Sequence, residues 1–170
     1  LSMGRRWGKS VLGGVLTMNV VRQHGRVAWV VPTYKNGRSL WRFARAHAAA
    51  MHGYFDISKT DRTIATGRGG FFSIYSADNI DAIRGEWFNL VVIDEAARIA
   101  EDDWSDTIRP TLADASGDAI LISTPKGKNW FWKEWVHGQS LNTNVQSWQA
   151  PTAANPSPRI RAEAQRAERD

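Results

Sequence analysis

The chain has 170 residues, 42% hydrophobic and 23% charged, which is enough for one domain with a real core. It contains no cysteine, which excludes disulfides and thiolate metal sites, and no apolar run long enough to span a bilayer. A net charge of +5 favours a polyanionic partner.

Leu1-Ser2-Met3 shows no signal-peptide pattern and leads straight into Gly4-Arg5-Arg6-Trp7-Gly8-Lys9-Ser10. The apolar pattern of Val11, Leu12, Val15, Leu16 and Val20 then predicts a helix over residues 9–24. Gly8-Lys9-Ser10 before a helix reads as the end of a phosphate-binding loop. Backbone N–H groups and the positive helix end cradle phosphate oxygens, Lys9 reaches the β- and γ-phosphates, and the Ser10 hydroxyl holds Mg²⁺. Met3 stands where the usual pattern has glycine, so a helix start without a ligand is the alternative. Only three residues precede the loop, where a buried strand is expected. The chain therefore reads as a fragment with its first strand largely missing.

Residues 26–31 form a near-continuous apolar run closed by Pro32, the pattern of a buried parallel strand. Residues 38–51 read as a helix with Leu40, Trp41, Phe43, Ala44 and Ala48 on its apolar side. Arg38, Arg42 and Arg45 share another face, either simply solvated or a contact for nucleic acid or a neighbouring subunit. His24, His47, His52 and His137 lack metal-ligand spacing. Residues 56–61 read as a polar connection, 63–66 and 71–76 as short strands around a glycine-rich turn, and 77–85 as a loop or short helix.

Leu90-Val91-Val92-Ile93-Asp94-Glu95 is four apolar residues followed by two acids. Such a strand delivers its carboxylates to the C-terminal sheet edge, where ligands bind in open α/β sheets. Asp94 suits support of Mg²⁺, and Glu95 suits polarising an attacking water. A helix cap with a first-turn acid is the other reading. A helix is expected from Glu101 to Leu112, bent by Pro110. A buried strand over 119–123 runs into Thr124-Pro125-Lys126-Gly127, and the Ser123-Thr124 hydroxyl pair can sense a γ-phosphate. Then come a helix over 129–137, a last strand at 145–148, a proline-punctuated loop over 150–158 and a charged helical run over 159–170. Arg5 and Arg6 are candidates to stabilise a transferring phosphoryl group, with Arg6 favoured because it lies nearer Lys9. Arg84 is a third candidate; its alternative is a salt bridge to Glu95 or Asp94.

With these stretches in this order, the chain resembles the ATPase domain of the terminase large subunit, the DNA-packaging motor of tailed phages and prophages. Gly4 to Ser10 resembles the family's arginine-bearing Walker A loop, with Gly4, Trp7, Gly8, Lys9 and Ser10 in contact with nucleotide. Pro32-Thr33-Tyr34 resembles the loop after the second strand, and Arg84-Gly85 the pair before Walker B. Val91 to Ala97 resembles Walker B with its catalytic glutamate, Ser123 to Gly127 the coupling motif, and Pro151 to Pro156 the exit loop. The resemblance implies an α/β P-loop NTPase with a mostly parallel central sheet flanked by helices on both faces. Its partial ATPase core would be residues 1–158, and the start of a helical lid or linker 159–170.

The resemblance also implies ATP and Mg²⁺ and a homo-oligomeric ring acting on double-stranded DNA. Further implied partners are a small terminase subunit and the capsid's portal protein, in the host cytoplasm and with no membrane. The family's adenine-contacting segment and nuclease domain are expected to lie outside these residues, and weak hydrolysis is expected of the fragment. Two other functions compete: a helicase-like nucleic-acid-dependent ATPase, and a non-catalytic prophage remnant.

Overall fold

The computed structural model describes residues 1–4, 6–141 and 143–167. Its framework is a six-stranded sheet. In chain order the described elements are β1 (Ser2–Met3), α1 (Lys9–Arg22), β2 (Arg26–Val31), α2 (Arg38–Ala50), β3 (Phe55–Ser58), β4 (Thr63–Thr66) and β5 (Phe71–Ser76), then β6 (Leu90–Asp94), β7 (Asp118–Ile122), α3 (Trp130–His137), β8 (Gln149–Ala150) and α4 (Pro158–Ala167). The strand order is β3-β4-β5-β2-β6-β7. β5, β2, β6 and β7 are mutually parallel, while β3 and β4 form an antiparallel edge. β1 pairs in parallel with β8, and Ser2 bridges to Ser123 just past β7. The short strand feeding the loop therefore lies between β7 and β8, and β7 separates it from β6.

Alternation along the central strands builds two cores. Val27, Trp29, Val31 and Val92 face α1 and α2; Ala28, Val30, Val91 and Ile93 face Ile83, Trp104, Ile108, Trp130 and Phe131. The expected mostly parallel sheet with helical layers on both faces is the observed architecture.

Several elements depart from expectation. Residues 55–58 are a strand, not a polar connection: Ile57 pairs across to Ile64 in a hairpin whose edge position tolerates polar neighbours. The last strand falls at 149–150 instead of 145–148, because Gly4 N–H bonds to the Ala150 carbonyl and sets the register there. The stretch from Asp103 to Ile108 is a π-helical turn followed by a 3-10 turn over Arg109–Leu112. Pro110 lacks an N–H for the regular ladder, which accounts for the change of winding.

α1 begins where expected, but the residues that announce it are not those it buries. Val11, Leu12, Val15 and Leu16 are exposed, Val11 at 58%, while Gly13, Gly14, Thr17, Met18 and Val21 face the core. The glycines explain this phase. A Cβ on Gly13 would lie 2.7 Å from the buried Trp29 ring, so only glycine lets the helix approach the sheet so closely.

Candidate active site

The site forms where the start of α1 meets the C-terminal end of β6. Gly8 precedes α1 with φ 77, a left-handed conformation that turns the chain into the helix. Ser10 Oγ then donates to Asp94 Oδ2 at 2.8 Å, tying loop to acidic strand over the end of the intervening β7. Lys9 Nζ donates to the carbonyls of Met3 and Gly4 at 2.9 and 2.7 Å. Burial lowers the Lys9 pKa, and the nearby Glu95 and Asp94 carboxylates oppose that shift. Burial raises the Asp94 pKa, against the Ser10 hydrogen bond that favours its charged form.

Glu95 adopts a left-handed backbone with φ 56 and ψ 42, uncommon for a residue with a side chain. The turn closes through Arg98 N–H to the Glu95 carbonyl at 2.8 Å, and the Arg98 side chain lies 3.9 Å from the Glu95 carboxylate. Ser123 Oγ, buried at the end of β7, accepts from Ala97 N–H and donates to the Thr124 carbonyl. This places the Ser123-Thr124 pair against the turn that carries Glu95. Met3 N–H bonds to the Ser123 carbonyl at 3.1 Å, so the loop also starts beside that pair.

The remaining sequence candidates lie further out. Arg6 has φ 61; its exposed guanidinium pairs with Glu163 of α4 at 3.2 Å. Arg5 lies outside the described residues. Trp7 Nε1 donates to the Pro151 carbonyl. Arg84 bonds to Asp81 at 2.6 Å and to the Thr107 hydroxyl at 2.9 Å, so neither Asp94 nor Glu95 is its partner.

Two asparagines outside the sequence candidates organise the surroundings. Asn155, 3% exposed, donates to the Arg6 carbonyl and accepts from Ser157 N–H. Asn129 caps α3 and also donates to the Ala97 carbonyl. The cap of α3 by Asn129 is a readable signal; the bonds of Asn129 to Ala97 and of Asn155 to Arg6 join distant segments and are not.

The residues fit a nucleotide with a divalent cation. The first turn of α1 carries no acid to repel phosphate. The hydroxyl and carboxylate joined at 2.8 Å are the hard oxygen donors that Mg²⁺ takes.

Sheet order, loop and acidic strand define a P-loop α/β protein. The chain belongs to the terminase large subunit family: residues 1–167 match the family described as "Terminase large subunit, T4likevirus-type, N-terminal". It is 28% identical over 141 residues to the terminase large subunit of Escherichia phage T5, covering 80% of this chain and 32% of that protein. The fold matches the large terminase ATPase domain of Thermus phage P74-26 with a TM-score of 0.79 and 23% identity, over 98% of this chain and 78% of that one. It also matches the large terminase of a thermophilic bacteriophage solved in complex with ADP, with a TM-score of 0.75 and 15% identity, over 97% of this chain and 44% of that one. The chain thus spans about a third of the length of the phage T5 relative.

Proposed function

We propose that this chain is the ATP-hydrolysing part of a DNA-packaging motor, and that its parent protein couples hydrolysis to movement of double-stranded DNA into a viral capsid. The observation that carries the reading is the Ser10–Asp94 hydrogen bond at 2.8 Å beside Lys9 and Glu95, in a chain of the terminase large subunit family. The ADP complex of the thermophilic phage terminase supports a nucleotide at this fold. Family membership favours the packaging motor over a helicase or a non-catalytic remnant.

Gly4, Trp7 and Gly8 shape the loop, and Lys9 and the α1 N-terminus bind the phosphates. Ser10 and Asp94 hold Mg²⁺, which when bound neutralises charge on the phosphate oxygens. Glu95 orients the attacking water, and Ser123 and Thr124 relay the state of the γ-phosphate. Arg6, Arg5 or Arg84 supplies positive charge to the transferring group, in cis or from the next subunit of a ring. The small terminase subunit and the capsid's portal protein complete the assembly, in the cytoplasm of the phage's host.

The test is phosphate release with and without double-stranded DNA, beside binding of a non-hydrolysable ATP analogue. Glu95→Gln is expected to lower turnover by roughly 10²–10⁴-fold and leave analogue affinity unchanged. Loss of binding as severe as the loss of turnover would remove Glu95 from the role of orienting water.

A further inference from the structure

The turn that carries Glu95 is gripped from two sides at one residue. Ala97, two positions beyond Glu95, is buried at 8% exposure. Its N–H donates to Ser123 Oγ at 3.2 Å, and its carbonyl accepts from Asn129 Nδ2 at 3.0 Å. Asn129 Oδ1 meanwhile accepts from Trp132 N–H at 3.2 Å and caps α3. The two ends of the amide are distinguishable, because one faces a carbonyl and the other an N–H, so only one orientation satisfies both. Close by, Trp130 Nε1 donates to the Ile99 carbonyl at 2.7 Å. The N-terminus of α3 is thus fastened to the Glu95 turn by two side chains.

A side-chain-bearing residue in the left-handed region is held there by its surroundings and not by its own preference. Within the turn, the Arg98 N–H bonds to the Glu95 carbonyl and the Ile99 N–H to the Ala96 carbonyl. The start of the turn is placed by β6 itself, since Glu95 follows Asp94 and donates its N–H to Asp94 Oδ1 at 3.1 Å. Its far side, at Ala97, is placed by Ser123 and Asn129. Ser123 ties the turn to β7, and Asn129 ties it to a helix in the layer opposite α1.

We propose that Asn129 is a positioning residue for Glu95: through the Ala97 carbonyl it holds the left-handed turn in place and makes α3 move with the Glu95 turn. The inference rests on the ATPase reading for the role of Glu95, and on the hydrogen bonds alone for the clamp. An asparagine that only capped α3 would need its Oδ1 and nothing else.

Asn129→Ser separates the two jobs. Serine caps a helix about as well as asparagine, but it cannot reach the Ala97 carbonyl while its oxygen caps α3. Amide hydrogen exchange is read first, without nucleotide, in the protein and in the Asn129→Ser variant. Amides of residues 96–99 are expected to exchange faster in the variant, with those of 133–137 unchanged. Turnover is then expected to fall roughly five- to tenfold, the scale of one neutral hydrogen bond, with analogue affinity unchanged. Asn129→Ala, which loses both bonds, is expected to speed exchange in 96–99 and in α3 together. Unchanged exchange at 96–99 in Asn129→Ser overturns the clamp, and unchanged turnover beside faster exchange overturns its bearing on Glu95. A wild-type protein that bound no nucleotide would strike the ATPase reading alone, because the exchange comparison still decides the clamp.

Discussion

Asp94 and Glu95 are neighbours in sequence with opposite backbone character, one ending a strand and the other starting a left-handed turn. Burial raises the pKa of Asp94 in the folded chain. Between the unfolded and folded pKa values the native state binds more protons than the unfolded state. Stability from this group is therefore lost as pH rises through that window. Asp94→Asn is then expected to raise the metal-free melting temperature at neutral pH, with the gain shrinking as the pH falls through the window between the raised folded pKa and the ordinary carboxylate pKa, and absent below it. Thermal melts at several pH values with a chelator present check this, and an equal gain at all pH values would contradict it. Arg6 supplies a contrast. Its ion pair with Glu163 is exposed on both sides, so it is worth little to stability. Arg6→Ala is expected to leave the melting temperature nearly unchanged, and turnover in mixed assemblies of wild-type and variant subunits reports whether Arg6 acts in cis or in trans. At this scale the sequence was most legible in placement: Lys9, Ser10, Asp94 and Glu95, singled out from two stretches 84 residues apart, lie together in the fold. The partner of Arg84 was not legible, because a guanidinium reaches any acid nearby, and Asp81 lies only three residues away.

Among the elements, α1 shows how amphipathic pattern and packing can part company. Its valines and leucines gave the period of a helix, yet the buried stripe is centred on Gly13, Gly14 and Met18. Shape decided the phase, since Trp29 fills the space beneath Gly13 and Phe43 that beside Gly14. Gly13→Ala is expected to destabilise by about 1–3 kcal/mol through overpacking, because Trp29 is fully buried and has nowhere to move. Gly14→Ala meets the half-buried Phe43 ring at 2.9 Å, which can give way. There the helix propensity gained, up to about 1 kcal/mol, offsets the crowding. Denaturant unfolding of the two variants is the measurement, and equal costs would refute the distinction. The parallel strands β2, β6 and β7 were legible to within a residue, since each carries an apolar run; β2 and β6 lie inside the sheet, and β7, last in the six-stranded order, keeps its apolar Ile120 to Ile122. β3 was not, because an edge strand needs only one good inward residue, here Ile57, and its polar neighbours look like loop.

For the whole molecule, with a net charge of +5, α2 exposes three arginines on one face, Arg38, Arg42 and Arg45. If this face meets DNA, replacing the three arginines with glutamine is expected to reduce DNA-stimulated phosphate release and leave the DNA-free rate intact. The slope of log affinity against log salt should fall by up to about 0.9 for each phosphate no longer neutralised. An unchanged slope would assign the charge to solvation alone. The segment between β1 and α1 is held by residues far along the chain: Gly4 N–H bonds to the Ala150 carbonyl, Trp7 to that of Pro151, and Asn155 to the Arg6 carbonyl across 149 residues. Parallel pairings and long closures form late, because the entropy of closing the loop is lost before the contacts return it. On a ribosome, β2, α2 and the β3–β5 hairpin edge emerge long before residue 150. The sheet's framework can therefore assemble while the segment between β1 and α1 still lacks its clasp, so that segment is expected to reach its folded shape after β2 to β5 during synthesis.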